Sequence, residues 1–339
     1  MNPATEAQSQ SPRVSATTMN AMVFDDYGDA DVLHLAEVPL PHRLPGQVTI
    51  DVQATSVNPI DYRLRSGEMK GLLPGGFPRI PGYDVAGIIA DAAADAPLVI
   101  GERVMAFLNS SRGGASADFA VSAIDATAKI PDSMSFEEAA AIPLAGTTAL
   151  QSLRDHGRMK RGHRVLINGA SGGVGMFAVQ IAKAYGCHVD AVASGDNEAF
   201  CRSLGADHFY DYEKVDFTES QERWNLVFDA AGKSGYWDAK DVLLPDGRYV
   251  STEPDAKGML MTILTWPLSK SGTIMLARSS ADDLRELISL YQRGQLAITI
   301  DSRYPMSQLA EAHRRVESGV DRGKVVVVSR QGDLNQATT

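Results

Sequence analysis

The alternation of apolar and polar positions changes character twice along this chain. Val48-Thr49-Ile50-Asp51-Val52-Gln53-Ala54 alternates with period two, which predicts a strand with one buried face. Short apolar runs at 85–90 and 103–107 predict two more strands. Turn clusters separate them, at 73–78 and at Ile80-Pro81-Gly82. The first 140 or so residues therefore read as a compact, mainly antiparallel β region. Ser135 and Glu138 have capping-box spacing ahead of three alanines and predict a helix start. From Val165 onward, short apolar runs alternate with segments of helical period. Strands are expected at 164–168, 187–193, 207–210, 225–230 and 247–251, and helices near 173–185, 197–204 and 236–243. That alternation predicts a parallel sheet covered on both faces. A further helix over 282–293 ends at Gly294, and β pattern returns at 296–304 and 324–329. The expected layout is discontinuous: a disordered tail over 1–18, a β unit from 19–140 and 297–330, an α/β unit over 141–296 inserted into it, and a second tail over 331–339.

Where the first parallel strand ends, the chain reads Gly169-Ala170-Ser171-Gly172-Gly173-Val174-Gly175, and a helical segment follows at once. Strand, tight glycine turn and helix start together form a dinucleotide cradle. Glycine lets the backbone approach a pyrophosphate, and the free N–H groups of the helix start favour its charge. Read as Ala170-x-Gly172-x-x-Gly175, the loop carries alanine at the first glycine of the dinucleotide pattern. Read as Gly169-x-x-x-Gly173-x-Gly175, it resembles the short-chain dehydrogenase pattern. That family also needs a Tyr-x-x-x-Lys pair, which occurs at Tyr210 and Lys214 and at Tyr236 and Lys240. It begins with its glycine loop, however, whereas about 160 residues come first here.

Composition narrows the class. The chain of 339 residues is 44% hydrophobic and 22% charged, ordinary for a soluble two-domain protein. A net charge of −10 argues against general binding to nucleic acid or an anionic membrane. Cys187 and Cys201 cannot build a disulfide framework, which fits a reducing, cytoplasmic setting. No apolar run is long enough to suggest a membrane span, and residues 1–18 lack the apolar core of a signal peptide.

Several motifs in order now carry a resemblance: Asn58-Pro59-Ile60-Asp61, Pro81-Gly82-Tyr83-Asp84-Val85-Ala86-Gly87, Gly101-Glu102-Arg103-Val104, Gly146-Thr147-Thr148-Ala149, the glycine loop, Leu204-Gly205-Ala206-Asp207, Asp211-Tyr212, Asp229-Ala230-Ala231-Gly232 and Arg322-Gly323-Lys324. Over about residues 20–329 the chain resembles a zinc-free medium-chain dehydrogenase/reductase of the quinone oxidoreductase type. The resemblance implies a Rossmann doubly wound parallel sheet joined to a mainly antiparallel, GroES-like β domain, in a homodimer. It also separates the chain from the zinc alcohol dehydrogenases. Asn58 stands where that branch has its first cysteine ligand, and Tyr83 stands where it has a histidine.

The implied reaction is hydride transfer from NADPH to a quinone or an α,β-unsaturated carbonyl. Negative charge then moves to oxygen, so donors to that oxygen are required. Candidates are Asn58, Tyr62 and Tyr83. Asn58 and Tyr62 each have a structural alternative, a turn for the first and core packing for the second, and some quinone reductases have the pocket tyrosine one position later, at Arg63 here. Asp61 is expected to brace its turn. The resemblance puts Thr148 against the nicotinamide, Ala231 under the cofactor and Lys324 near a cofactor phosphate. The next strand ends in Ala193-Ser194, small and uncharged, which leaves room for a 2′-phosphate. Tyr212 is its implied donor, with Arg202 or Lys214 as the nearby cation. Asp196 either meets a ribose hydroxyl, or it or Asn197 caps the following helix. Residues 259–268 read as core, subunit interface or pocket wall. The alternative from another class is a weakly catalytic nicotinamide-binding redox sensor, because a fold does not decide function.

Overall fold

A computed structural model describes residues 17–71, 76–110, 113–253, 256–265 and 268–329. Both expected tails, except residues 17 and 18, lie outside the described residues, as does much of the turn cluster at 73–78. Strands β1 (Thr18–Val23) and β2 (His34–Pro39) form an antiparallel pair. β3 (Gln47–Val57), β4 (Asp84–Asp91), β5 (Arg103–Phe107), β6 (Phe119–Ala123) and β7 (Thr127–Lys129) build an antiparallel sheet around β3, which is buried along nearly its whole length. Helix α1 (Pro59–Ser66) lies between β3 and β4. The sequence pattern suggested a turn at Asn58-Pro59-Ile60-Asp61. Proline at the first helical position and aspartate at the third start a helix instead, which Gly67 ends in the left-handed region at φ 88°.

Helices α2 (Phe136–Ala141) and α3 (Pro143–Gln151) lead into the second sheet, and Ser135 and Glu138 form the expected capping box. There β8 (Arg164–Asn168), α4 (Gly175–Ala184), β9 (His188–Ala193), α5 (Glu198–Ser203), β10 (His208–Asp211), β11 (Trp224–Asp229), α6 (Tyr236–Ala239), β12 (Leu243–Ser251), α7 (Ala256–Thr265) and β13 (Ser271–Ile274) alternate. All six strands are parallel, in the order β10-β9-β8-β11-β12-β13. This is the doubly wound order, whose direction of winding reverses between β8 and β11, and the crevice at their carboxyl ends is the expected ligand site. After α8 (Ala281–Gln292), β14 (Ile300–Pro305), α9 (Leu309–Glu317) and β15 (Lys324–Val328) return to the first sheet. β15 pairs antiparallel with β3, and β14 pairs parallel with β15. β14 is shorter than the run expected over 296–304. One apolar core joins the sheets, running from Ala54, Met105 and Val326 through α2 and α3 to Val165, Ile167 and Phe228.

Candidate active site

A cavity of about 1010 Å³ follows the carboxyl ends of β8 and β11 and is closed on its other side by the start of α1 and by β15. The glycine loop forms its floor. Gly169 has φ 81°, and a Cβ there would stand 2.9 Å from the Ala231 side chain. At Gly175 a Cβ would stand 2.0 Å from the Gly169 carbonyl oxygen, so the first turn of α4 packs directly on the loop. Gly172 differs: the nearest protein atom to its Cβ position is 3.5 Å away, although the residue lines the cavity. The fold itself leaves room for a side chain there. A volume suited to a large ligand, a glycine with no packing reason, and the start of the ten-residue helix α4 fit a dinucleotide pyrophosphate. Ser171, Gly173, Val174 and Ala231 also line this cavity, and Ala170 is buried behind it.

The far wall is held by one carboxylate. Asn168 Nδ2 donates to Asp229 Oδ1 at 3.0 Å. Asp229 Oδ2 accepts from Ser234 N–H at 2.8 Å, Ser234 Oγ at 2.9 Å and Tyr249 Oη at 3.0 Å. The strand ends and the 230–234 segment are thereby locked around the cavity. Sequence reasoning missed this hub, because its members are distant in the chain.

Opposite stands a buried polar cluster centred on Asp84, which has no exposure. Its Oδ2 accepts from Asn58 Nδ2 at 2.7 Å and from Ser56 Oγ, and its Oδ1 accepts from Leu144 N–H at 2.6 Å. Lys324 Nζ lies 3.7 Å from Asp84 Oδ2 and donates to Asn58 Oδ1. The Asn58 amide is therefore oriented by chemistry: a carboxylate accepts only from its NH₂ group, and an ammonium donates only to its oxygen. Both Asn58 and Lys324 line the cavity. The stem of Lys324 runs past Gly173, whose Cβ position is 3.0 Å from Lys324 Cδ, and its amine ends on Asn58. Burial pushes that ammonium below the usual lysine range, against the opposing charges of Asp84 and Asp61.

Asp61 braces the start of α1. Its Oδ2 accepts from Asn58 N–H at 2.7 Å and its Oδ1 from Gly82 N–H at 3.1 Å. Burial pushes its carboxyl up to about 7, with the Asp84 charge adding to the shift and the two N–H bonds and Lys324 opposing it. Tyr83 is buried, and desolvation raises its hydroxyl far above the usual tyrosine range. Tyr62 is half-buried on α1. Neither tyrosine lines the cavity, nor does Thr148, which is buried on α3 one turn after the lining residue Ala145.

At the other end, Tyr212 lines the cavity and is 60% exposed. Ser194 lines an adjoining cavity of about 630 Å³ with Asp196, Asp211 and Lys214. Lys214 pairs with Asp211 at 2.7 Å, and Arg202 pairs with Glu198 at 2.8 Å. Asn197 is the N-cap residue of α5 but makes no side-chain bond to the helix; its Nδ2 donates to Ser194 Oγ at 2.9 Å. Asp196 is exposed. A cation that sequence spacing did not suggest also reaches this end. Arg322 donates from Nε to Asn197 Oδ1 at 2.5 Å and from Nη2 to the Asp196 carbonyl at 2.6 Å. Among the described residues no cluster of three or more His, Cys, Asp or Glu could hold a metal ion.

Residues 44–132 match the alcohol dehydrogenase GroES-like domain, and residues 204–327 match the zinc-binding dehydrogenase family. A chloroplast envelope quinone oxidoreductase homolog of Arabidopsis thaliana is 31% identical over 322 residues, 91% of this chain and 98% of the relative. The chain belongs to the medium-chain dehydrogenase/reductase family, of the quinone oxidoreductase type. Among solved members of this family, the quinone oxidoreductase from Coxiella burnetii superposes with a TM-score of 0.83 at 31% identity, covering 92% of this chain and all of that one. The mycobacterial protein Rv1454c, solved in complex with NADPH, gives 0.75 at 25% identity, over 92% of this chain and 100% of its own. The family's GroES-like unit accounts for the antiparallel sheet here, and its Rossmann unit for the parallel one.

Proposed function

We propose that the protein is an NADPH-dependent reductase of quinones or α,β-unsaturated carbonyls that works without zinc. The observation that carries this reading is the Asn58 amide. It is fixed between Asp84 and Lys324 in the wall of the same cavity that holds the glycine loop. A nicotinamide held by the glycine loop would supply the hydride for a conjugated carbon. The protein's task is to hold the acceptor and stabilise the charge that moves to its oxygen. The second N–H of Asn58 Nδ2 is the donor to that oxygen, preorganised by its neighbours, and the nearby Lys324 ammonium favours the developing anion. Water entering the cavity supplies the proton, since neither Tyr62 nor Tyr83 is among the residues that line it. Asn58 and Tyr83 at the positions of the zinc branch's ligands support the metal-free reading.

For the cofactor, the donors around the end of β9 support NADPH. Ser194 keeps its own O–H free while its Oγ accepts from Asn197, Tyr212 is open to the cavity, and Arg322 brings a guanidinium to the same place. Asp196 and Asp211 beside Ser194 favour a second reading, in which they bind ribose hydroxyls of NADH. A titration with both cofactors decides between the two. Activity is tested by NADPH oxidation with 1,4-benzoquinone, 9,10-phenanthrenequinone and a simple enone. Tight NADPH binding with all three acceptors inert would leave the redox-sensor reading instead.

We further divide the chain into a catalytic β unit, 19–140 with 297–330, and a cofactor unit, 141–296. A homodimer is supported by β13, an edge strand, and by α7 beside it. α7 buries Met261 and Thr265 while Leu260, Ile263 and Leu264 are exposed. Trp266 and Pro267 lie outside the described residues. No described helix is long and apolar enough to cross a membrane. The cytoplasmic assignment rests on two buried, unpaired thiols, whereas the Arabidopsis relative carries a chloroplast envelope name.

A further inference from the structure

Arg63 and Glu253 join the two units at the edge of the cavity, though neither is among the residues that line it. Arg63 lies on α1, five residues beyond Asn58. Glu253 follows β12, and its side chain packs on Gly232, which is flanked by the lining residues Ala231 and Lys233. Arg63 Nη1 donates to Glu253 Oε1 at 3.0 Å and Nη2 donates to Oε2 at 3.1 Å. This is the parallel two-bond geometry by which guanidinium recognises a carboxylate. The pair sits beyond the carboxyl ends of β11 and β12, next to the 230–234 segment. It ties α1 of the antiparallel unit to the end of a strand of the parallel sheet.

Both side chains keep contact with water, at 26% exposure for Arg63 and 39% for Glu253, so the pair can exchange partners at small cost. Glu68 Oε1, 3.7 Å from Arg63 Nε, remains when Glu253 leaves. The other cation near Asn58, Lys324, is committed to the buried cluster. Resting on the reductase reading above, we propose that Arg63 is a specificity-determining residue for acceptors that carry a carboxylate. Glu253 is its displaceable placeholder: an acceptor's carboxylate takes the two guanidinium bonds, Glu253 turns to solvent, and the conjugated carbonyl is left against Asn58.

The test compares 4-phenyl-3-buten-2-one with its para-carboxylate, and the saturated ketones of both. Equilibrium binding of the saturated pair is measured by calorimetry with NADP⁺ present, and kcat/KM is measured for the enones. Wild type is expected to prefer the carboxylate. Arg63→Met is expected to cut the carboxylate-to-neutral ratio about tenfold in both measurements, and Glu253→Gln to raise it a few-fold. Ratios that do not move in the calorimetry of either variant overturn the proposal, whatever the turnover. If the binding ratios move as expected while neither enone is reduced, the reductase reading fails and the carboxylate site stands.

Discussion

Gly172 and Gly175 belong to one loop, yet alanine should act on them in opposite ways. At Gly175 the new methyl would lie 2.0 Å from the Gly169 oxygen and 2.8 Å from Ala170 Cα. Neither is a flexible side chain, so backbone has to move by more than an ångström. Overpacking of that kind costs about 1–3 kcal/mol or more and lowers the melting temperature. At Gly172 the nearest atom is 3.5 Å away, an ordinary contact, so Gly172→Ala should leave stability within about 0.5 kcal/mol of wild type. The methyl would instead stand where the pyrophosphate approaches the loop. Loss of one hydrogen bond to a charged group costs about 1.5–3 kcal/mol, a rise of roughly 10–100-fold in the NADPH Kd. Thermal melts without ligand and calorimetric NADPH titrations measure the two effects separately. Wild-type NADPH affinity in Gly172→Ala would refute the assignment of this loop as the phosphate cradle.

Asp61 makes stability depend on pH. Its folded pKa, about 7, lies above the ordinary 3.8, so the folded state holds a proton that the unfolded chain has released. Its contribution is full below about pH 4 and is lost as pH rises to about 7, at roughly 1.4 kcal/mol per pH unit. Asp61→Asn places an amide N–H against a backbone N–H and lowers stability overall, but urea midpoints from pH 4 to 8 should lose that component of the slope. Arg322→Ala should raise the Kd of NADPH about tenfold and that of NADH far less, read by the same titration with each cofactor. If the proposed homodimer forms through α7, Ile263→Asp on its exposed face should give a monomer in light scattering where wild type gives a dimer, without a loss of helix signal.

Local chemistry made much of the fold legible. The boundaries of β5 and β8 follow from apolar runs bounded by turn residues, and the glycine loop announced the strand–turn–helix unit. The period of the pattern said less at α1, where a proline looked like a turn signal and was the first residue of a helix. Site chemistry was legible where one motif held it, as with Asn58 and Asp61. It was not legible where partners meet through topology. Arg322 reaches Asn197 because β15 returns to β3 and carries the Arg-Gly-Lys segment across the cleft. Lys324 lies in the same motif, and its amine bonds to Asn58 and faces Asp84 in the wall of the cavity, contacts that the motif alone does not show. Asp229 with Tyr249 joins two strands, and Arg63 with Glu253 joins helix α1 to the segment after β12; neither residue of either pair is unusual in its own segment.

The central claim is hydride transfer to carbon beside Asn58. Its most direct measurement uses NADPH deuterated at C4, in both stereochemical forms, with 4-phenyl-3-buten-2-one as acceptor and NMR of the product. The account predicts that one form delivers deuterium to the β-carbon of a saturated ketone, and that Asn58→Leu lowers kcat about 100-fold or more while NADPH binding persists. Oxidation of NADPH without deuterium in the ketone, or wild-type turnover in Asn58→Leu, would contradict it.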